Sequence, residues 1–257
     1  MKHLHIVGCP RSGTTLLMEL ISTCFASAGY CEHEKSIFEA PDVDGEPYFT
    51  KQPNDIKQLS HIFHRDPELY IIYMGRDPRS VITSLHDAEP GVYFCNYRVW
   101  SECDRAAQRY LGHARFLAVS YESLVAQPDA MQDRIAQQFT FLQRRHPFSQ
   151  YHLHAKPSLA SERAMHGLRE VNPDSLSKWL SHLPRLAEQF QRHPALAADL
   201  TRLGYEDDDA WLSMLQEIEP KVFPCRYPER RQYMKEWEKA LRVYLKSRRY
   251  LRRIAAA

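Results

Sequence analysis

Short apolar runs alternate with segments of helical spacing in the first 142 residues of the chain. The apolar runs that predict strands lie at residues 3–7, 48–50, 69–74 and 115–120. Apolar residues recur at helical spacing at residues 14–28, 54–64, 78–86, 97–113 and 128–142. The run LYIIYM at 69–74 is apolar at nearly every position, which is typical of a parallel strand buried on both faces. Strands that alternate with helices predict an α/β fold with a central parallel sheet flanked by helices.

The strand pattern does not continue beyond residue 143. Helices are predicted at residues 174–181, 184–202, 207–218 and 229–254. We therefore predict a main α/β domain at residues 1–206 and a helical, basic C-terminal extension at residues 207–257.

Charge is unevenly distributed, although the 257 residues carry a formal net charge of only +2. Residues 226–253 contain eleven Lys or Arg and three Glu, together with a Trp/Tyr face. Two interpretations of this last helix stay open. It contacts an anionic membrane surface or a polyanionic acceptor, or it docks on its own domain or on a second subunit as a homo-oligomer. The sequence contains no recognisable nucleic-acid-binding module, so nucleic acid is not an expected partner.

Apolar content and cysteine spacing favour a cytoplasmic protein, with peripheral attachment to a membrane left open by the basic helix. Hydrophobic residues make up 44% of the chain, and the chain contains no uninterrupted apolar run of about 18 residues. The first ten residues already predict a strand, so no secretory signal is expected. The six cysteines contain no C-x-x-C pair and no zinc spacing, which predicts reduced thiols and no metal site.

The sequence GCPRSGTT at residues 8–15 follows a predicted strand and precedes a predicted helix, as a phosphate-binding loop does. Gly8 and Gly13 have the required spacing, but Thr14 occupies the position of the usual lysine. Backbone N–H groups at a helix N-terminus can still hold an anion, and Arg11 supplies a charge from within the loop. The predicted anion-binding residues are Arg11, Ser12, Gly13, Thr14 and Thr15. The alternative is a purely structural strand–loop–helix turn.

A second anion site is predicted at the end of the strand at 69–74. Arg76 follows this strand directly, at the edge where open α/β sheets place ligands. Ser84 is expected about two turns into the next helix, so that Arg76 and Ser84 converge on one anion while Arg79 faces away. The alternative is a helix start with surface arginines.

Taken together, the two segments resemble two motifs of the sulfotransferase family. P-R-S-G-T-T at 10–15 is followed by R-D-P-R at 76–79, with a serine at 84. The resemblance extends over about residues 3–206 and includes VSYESLVAQP at 119–128, SLSKWL at 175–180 and LTRLGYE at 200–206. It implies a three-layer P-loop-like fold and the co-substrate 3′-phosphoadenosine 5′-phosphosulfate (PAPS), with 3′-phosphoadenosine 5′-phosphate (PAP) as product and no required metal.

The resemblance also implies roles for individual residues. The loop holds the 5′-phosphosulfate, Arg76 and Ser84 hold the 3′-phosphate, and Tyr121 touches the adenine, whereas Glu122 is interpreted as structural. Arg169 matches loosely a basic block that the family has in this region, and Leu16 stands where one branch has a tryptophan.

For catalysis, the resemblance implies charge stabilisation by Arg11 and Lys51 during in-line transfer of a sulfuryl group to a hydroxyl or amine. Glu34 is the preferred base, and His33 is the alternative. For Lys51, Glu34 and His33, the competing interpretation is a solvated surface residue without a catalytic role. The stretch 146–173 either covers the acceptor site, with contacts from residues such as His152, His154, Lys156, Arg163 and Arg169, or is a polar surface loop.

Two other functions compete with a sulfotransferase. A small-metabolite kinase would use the loop for ATP, although Thr14 in the lysine position and the lack of an acidic residue after the strand at 69–74 disfavour metal–nucleotide hydrolysis. A non-catalytic module would bind the nucleotide and transfer nothing. The acceptor stays open among a carbohydrate, a lipid-linked sugar and a small molecule.

Overall fold

The computed structural model describes residues 1–31, 34–39, 45–230 and 233–256. Five parallel strands form one sheet: β1 (His3–Gly8), β2 (Gly29–Tyr30), β3 (Tyr48–Lys51), β4 (Leu69–Gly75) and β5 (Phe116–Ser120). Their order across the sheet is β2-β3-β1-β4-β5, and all four neighbouring pairs are parallel. The predicted parallel sheet is thus confirmed. Because the strands run in one direction, the carboxyl ends of β1, β3 and β4 meet at one edge.

Helices connect the strands and continue beyond them. The α-helices are α1 (Thr14–Cys24), α2 (Pro78–Ile82), α3 (Tyr97–Gln108), α4 (Tyr121–Ala126), α5 (Pro128–Gln138), α6 (Tyr151–His154), α7 (Leu159–Met165), α8 (Leu183–Arg192), α9 (Ala195–Arg202) and α10 (Tyr233–Ala256). Short 3₁₀ helices span Pro53–His61, Phe148–Gln150, Lys178–His182 and Ala210–Leu215.

Each face of the sheet has its own apolar core, because successive side chains of a strand point to opposite faces. In β4, Ile71 and Tyr73 belong to the cluster with α3, α8 and α9, whereas Ile72 and Met74 belong to the cluster with α1, α4 and α5. Helices therefore cover both faces, which confirms the predicted three-layer α/β architecture.

Several predicted element boundaries are wrong. The helix predicted at 184–202 is two helices, α8 and α9, that are separated at Pro194. The predicted helices at 54–64, 174–181 and 207–218 contain 3₁₀ turns, and α5 ends at Gln138 rather than at 142. Ser84 does not lie two turns into a helix, because α2 ends at Ile82. The two-residue strand β2 was not expected.

The C-terminal helix docks on the domain through its second half. Tyr250 is only 3% exposed, and its hydroxyl donates to the Asp66 carboxylate, while Ser247 is also buried. The predicted docking of this helix on its own domain is confirmed for this half. Trp211, which precedes the helix, packs in the same apolar cluster as β4.

The first half of α10 presents large apolar side chains to solvent. Trp237 is 70% exposed, and Leu241, Tyr244 and Leu245 are nearly half exposed. A second subunit or an anionic surface as the partner of this face stays a prediction, as does the division of the chain at residue 206. Among the helices of the described residues, none is long and apolar enough to cross a bilayer.

Candidate active site

The predicted phosphate loop connects β1 to α1 and has a tight, left-handed conformation. Arg11 has a φ of 74° and Gly13 a φ of 95°. A Cβ on Gly8 would lie 2.6 Å from Ser12 Oγ and 2.7 Å from the Met74 carbonyl oxygen, so the turn needs glycine there. The Ser12 amide donates to the Cys9 carbonyl at 3.1 Å and thereby closes the turn. It is therefore not directed at an anion, in contrast to the prediction from the sequence.

Helix α1 begins at Thr14, and no side chain caps it. The first amides of a helix lack partners within the helix, and the positive end of the helix dipole lies there. The amide groups at the start of α1 are therefore suited to hold an anion.

Lys51 lies at the end of β3 and reaches this helix start from the neighbouring strand. Its side chain is buried, and Nζ donates to Thr15 Oγ1 at 3.0 Å. Burial lowers the pKa of the Lys51 ammonium, and the nearby Glu34 carboxylate opposes that shift. The structure thus places a lysine charge at the loop even though Thr14 occupies the lysine position of the motif.

Glu34 lies beside Lys51. Its Oε1 is 3.8 Å from Lys51 Nζ, and its side chain is 39% exposed. The Lys35 amide donates to the Lys51 carbonyl at 3.0 Å, which fixes this segment against the end of β3. A carboxylate in this position can accept a proton from a group that approaches Lys51. His33, the alternative base, lies outside the described residues.

Arg76 leaves the end of β4 and crosses to the loop. Its Nη1 donates to the Arg11 carbonyl at 3.0 Å, and its guanidinium carbon lies 4.1 Å from the centre of the Tyr121 ring. Burial lowers the pKa of Arg76. Its Nε is buried and has no hydrogen-bond partner among the described residues. An unpaired buried guanidinium nitrogen is costly, so this group is suited to receive an anion.

Ser84 approaches Arg11 rather than Arg76. Its Oγ accepts a hydrogen bond from Arg11 Nε at 2.8 Å. The Arg11 guanidinium also makes a two-pronged contact with Asp87, with Nη1 and Nη2 at 2.8 and 3.1 Å from the carboxylate oxygens. Asp87 was not among the predicted residues, and it neutralises the charge that we assigned to the loop.

Tyr121, the first residue of α4, packs against the loop. A Cβ on Gly13 would lie 2.4 Å from the Tyr121 ring, so the ring rests directly on the glycine. The Tyr121 hydroxyl shares a hydrogen bond of 2.7 Å with Ser175 Oγ. This contact ties the segment after α7 to the loop.

Arg79 and Glu122 have supporting contacts. Arg79 is buried between Trp179 and Trp211, with its guanidinium carbon 4.3 and 5.5 Å from their ring centres, and it pairs with Asp77. Glu122 accepts hydrogen bonds from the Asp77 amide at 2.9 Å and from the Tyr205 hydroxyl at 3.1 Å. Arg79 thus faces away from the site, and Glu122 connects β5 to the start of α2, as expected.

One cavity of about 340 Å³ joins these groups. Predicted site residues that line it are Arg11, Gly13, Thr14, Thr15, Glu34, Lys51, Arg76, Ser84, Tyr121 and Arg169. Ser12 does not line the cavity in the described structure, and its buried hydroxyl lies beneath the loop next to Gly8. No group of three or more metal-ligating side chains was found in the parts of the chain that the structure describes.

The opposite wall of the cavity comes from the stretch that the sequence left ambiguous. Ala160, Ser161 and residues 164–167 and 169–172 of this stretch line the cavity, and Arg169 is among them. His152, His154, Lys156 and Arg163 do not line it in the described structure. Phe94, Tyr151, Ser175 and Lys178 also line the cavity, and no local pattern in the sequence could have found them.

A model of the sulfotransferase family matches residues 23–141. The match includes Glu34, Lys51, Arg76, Ser84 and Tyr121, and it begins after the loop. No curated protein matches the chain.

The solved structures that match the chain include two sulfotransferase domains and a mouse sulfotransferase. The "Sulfotransferase Domain from the Curacin Biosynthetic Pathway" has a TM-score of 0.55 and 16% identity, over 78% of this chain and 97% of that one. The sulfotransferase domain of the Synechococcus PCC 7002 olefin synthase has a TM-score of 0.48 and 15% identity, over 70% of this chain and 87% of that one. Mouse sulfotransferase SULT7A1 complexed with PAP has a TM-score of 0.35 and 17% identity, over 53% of this chain and 58% of that one.

The curacin-pathway domain shows that the fold is shared over nearly its whole length. The family match covers β3, β4 and the residue after β5, which carry Lys51, Arg76 and Tyr121, and leaves out β1 and the loop. The family-model match over residues 23–141 and the fold shared with the curacin-pathway domain together support assigning the chain to the sulfotransferase family.

Proposed function

We propose that this protein transfers a sulfuryl group from PAPS to a hydroxyl group of an acceptor, and that an amine is the alternative acceptor group. The observation that carries the proposal is the pairing of Lys51 with Thr15 at the start of α1, in the same cavity as Arg76. One cavity thus receives basic side chains from the ends of two strands, β3 and β4, which supports binding of a nucleotide with phosphates at both its 5′ and 3′ positions.

The chain's own residues fit the donor at both ends. The uncapped start of α1, with Thr14, Thr15 and Lys51, suits the 5′-phosphosulfate. The unpaired Nε of Arg76 suits the 3′-phosphate. Tyr121 stacks on Arg76 between these two places and offers a face to the adenine. PAPS supplies the activated sulfuryl group.

In the proposed reaction, the acceptor oxygen forms a bond to sulfur while the bond from sulfur to the 5′-phosphate oxygen breaks. The electron pair of that bond remains on the phosphate, whose charge rises. Lys51, Thr15 and the α1 amides stabilise this charge, as fixed donors do in acyl and phosphoryl transfer. The acceptor proton passes to the Glu34 carboxylate, with His33 as the alternative base.

Arg11 requires a rearrangement before it can act as proposed. Its guanidinium contacts Asp87 and Ser84, so a donor phosphate must compete with Asp87 for it. We propose that Arg11 exchanges this partner for the donor when the nucleotide binds, because the phosphosulfate carries two negative charges, one on phosphate and one on sulfate, and the carboxylate carries one.

The proposed setting is the cytoplasm. All six cysteines are free thiols, which is typical of a reducing compartment. The acceptor is proposed to be a hydroxyl-bearing carbohydrate, lipid-linked sugar or small molecule.

Isothermal titration calorimetry with PAP and with Mg-ATP tests the donor. We expect PAP to bind at least about tenfold more tightly than ATP, which corresponds to about 1.4 kcal/mol. Radiolabelled PAPS with a panel of hydroxyl compounds then tests transfer. Equal affinity for ATP with Mg-dependent ATP consumption would support the kinase instead. Tight PAP binding without transfer to any acceptor would support the non-catalytic module.

A further inference from the structure

A second cavity, of about 930 Å³, adjoins the first. The two cavities share four lining residues, Pro10, Glu34, Pro53 and Phe94. The second cavity extends from this junction to the surface of α10, along the 3₁₀ helix that begins at Pro53. Glu34, the proposed base, therefore lies where the two cavities meet.

Basic side chains line the outer part of this second cavity. Lys239, Arg242 and Lys246 have the spacing of one face of α10, and they line the cavity together with Arg226. Lys239 and Lys246 have no acidic partner within the described residues, whereas Arg226 donates to His86 Nε2 at 3.0 Å and lies over the Phe94 ring. These cations are exposed and point toward a space that a ligand can enter.

The acidic lining residues already have partners. Asp55 accepts hydrogen bonds from the Ile37 amide at 2.7 Å and from Gln58 Nε2 at 2.9 Å. Glu238 pairs with Arg242 at 3.2 Å. Glu34 lies near Lys51 at the junction. Four basic and three acidic side chains line the cavity, a surplus of one positive charge. Lys239 and Lys246, which have no described acidic partner, concentrate positive charge at the α10 side, where it attracts ligands of the opposite sign.

We propose that the second cavity binds the acceptor, and that this acceptor carries an anionic group, a phosphate, carboxylate or sulfate, in addition to its reacting hydroxyl. The anionic group binds Lys239 and Lys246, and the hydroxyl reaches Glu34 and Lys51 at the junction. This inference rests on the proposed function and specifies its substrate class. It also gives the C-terminal helix a part in the site, whereas residues 164–167 and 169–172 line the first cavity.

The test measures binding of matched hydroxyl compounds by calorimetry in saturating PAP, which keeps the probes out of the first cavity. The pairs are 4-hydroxyphenylacetate with 4-methylphenol, glycerol 3-phosphate with glycerol, and glucosamine 6-phosphate with glucosamine. We expect the anionic member of at least one pair to bind about tenfold more tightly, as two exposed charge contacts allow. The absence of such a preference in all three pairs overturns the proposal.

The double variant Lys239→Glu/Lys246→Glu should lose that preference and leave PAP affinity unchanged. The matched control is Arg248→Glu/Arg252→Glu, which changes the charge of the same helix by the same amount at exposed positions that do not line the cavity. The control should retain the preference. If both double variants lose the preference equally, the preference arises from the overall charge of α10, and the proposal of a specific site is overturned.

Lys239→Arg/Lys246→Arg should restore the preference, because it keeps the charges. Circular dichroism and thermal unfolding of every variant check that α10 remains docked. If wild-type protein fails to bind PAP, the proposed function fails. The same pairs titrated into free wild-type protein and into free Lys239→Glu/Lys246→Glu then still decide whether the second cavity prefers anions, because only the second cavity differs between the two proteins.

Discussion

Lys51 Nζ lies 3.0 Å from Thr15 Oγ1, although the two residues are 36 positions apart in the chain. The parallel pairing of β1 with β3 places them together, with Ile6 opposite Lys51 in the register. A strand neighbour thereby supplies the charge that the phosphate loop itself lacks, since Thr14 stands in the lysine position. We propose that the loop and the end of β3 bind the anion together.

Lys51→Met should lower kcat by about 10²–10³-fold, which is the usual effect of removing one fixed donor from a developing anion. The side chain is buried, and Met preserves much of its volume, so folding should persist. Steady-state kinetics with PAPS and thermal unfolding measure both effects. Lys57→Met, which removes an ion pair with Glu102 away from the cavity, is the control and should retain kcat. An unchanged kcat in Lys51→Met would remove this lysine from the mechanism.

Glu34→Gln should lower kcat by about 10²–10⁴-fold, because the amide cannot accept the acceptor proton. PAP affinity should stay the same, since Glu34 lies on the acceptor side of Lys51. The matched variant His33→Gln tests the alternative base with the same assay. If His33→Gln loses activity and Glu34→Gln does not, the base is His33.

Arg76→Ala should abolish most of the preference for PAP over adenosine 5′-phosphate. Loss of a hydrogen bond to a charged group costs about 1.5–3 kcal/mol, so the ratio of the two dissociation constants should fall roughly 10- to 100-fold. Titration calorimetry with both nucleotides measures the ratio. An unchanged ratio would assign the 3′-phosphate to other residues. Arg105→Ala, on α3 and bonded to Ser101, serves as the control.

Arg79→Leu should destabilise the fold by about 3–5 kcal/mol, because it leaves the buried Asp77 carboxylate without its partner. Denaturant unfolding measures the loss. Arg144→Leu removes an exposed ion pair with Asp133 and should change stability by about 0–1 kcal/mol. Similar losses in the two variants would contradict a structural role for Arg79. Arg76 is thus expected to bind the nucleotide, whereas Arg79, three residues later, is expected to stabilise the fold.

The buried His3 should make stability depend on pH. Its pKa is well below the ordinary value of 6.5, first because of burial and then because of His5, Arg253 and Lys35. As pH falls below 6.5, the unfolded chain binds a proton that folded His3 does not. Stability should therefore decrease toward acid by about 1.4 kcal/mol per pH unit for this one group.

Unfolding of His3→Gln at several pH values between 7 and 5 measures this contribution. The variant should have a shallower loss of stability toward acid than the wild type. His61→Gln, at a partly exposed position, should keep the wild-type slope. Parallel slopes for wild type and His3→Gln would mean that His3 takes up its proton in the folded state as well.

Local patterns were sufficient for the parts of the fold that repeat a period. The strand predicted at 69–74 is β4, and the helix predicted from Thr14 begins at that residue as α1. The predicted order of strand, loop and helix placed Arg11, Thr15 and Arg76 at one sheet edge, where the cavity lies. These residues are close in space because the carboxyl ends of parallel strands lie at one edge of the sheet. The order of strands and helices is enough to predict this, without knowledge of side-chain packing.

Contacts between distant segments were not accessible from the sequence. Asp87 binds Arg11 across 76 positions, and Tyr121 meets Ser175 across 54. No periodicity marks such partners, because they follow from how loops pack after the sheet has formed. The end of α2 at Ile82 was missed for a related reason: its short length moves Ser84 into a turn and toward Arg11.

The contact between Gly13 and Tyr121 restricts how the nucleotide preference of this enzyme can be redesigned. The tyrosine ring fills the volume that any side chain at position 13 would need. A side chain at position 13 would also be strained at the φ of 95° that Gly13 adopts, so removal of the ring would not make room for one. Libraries that reshape this pocket should therefore keep Gly13 and vary position 121.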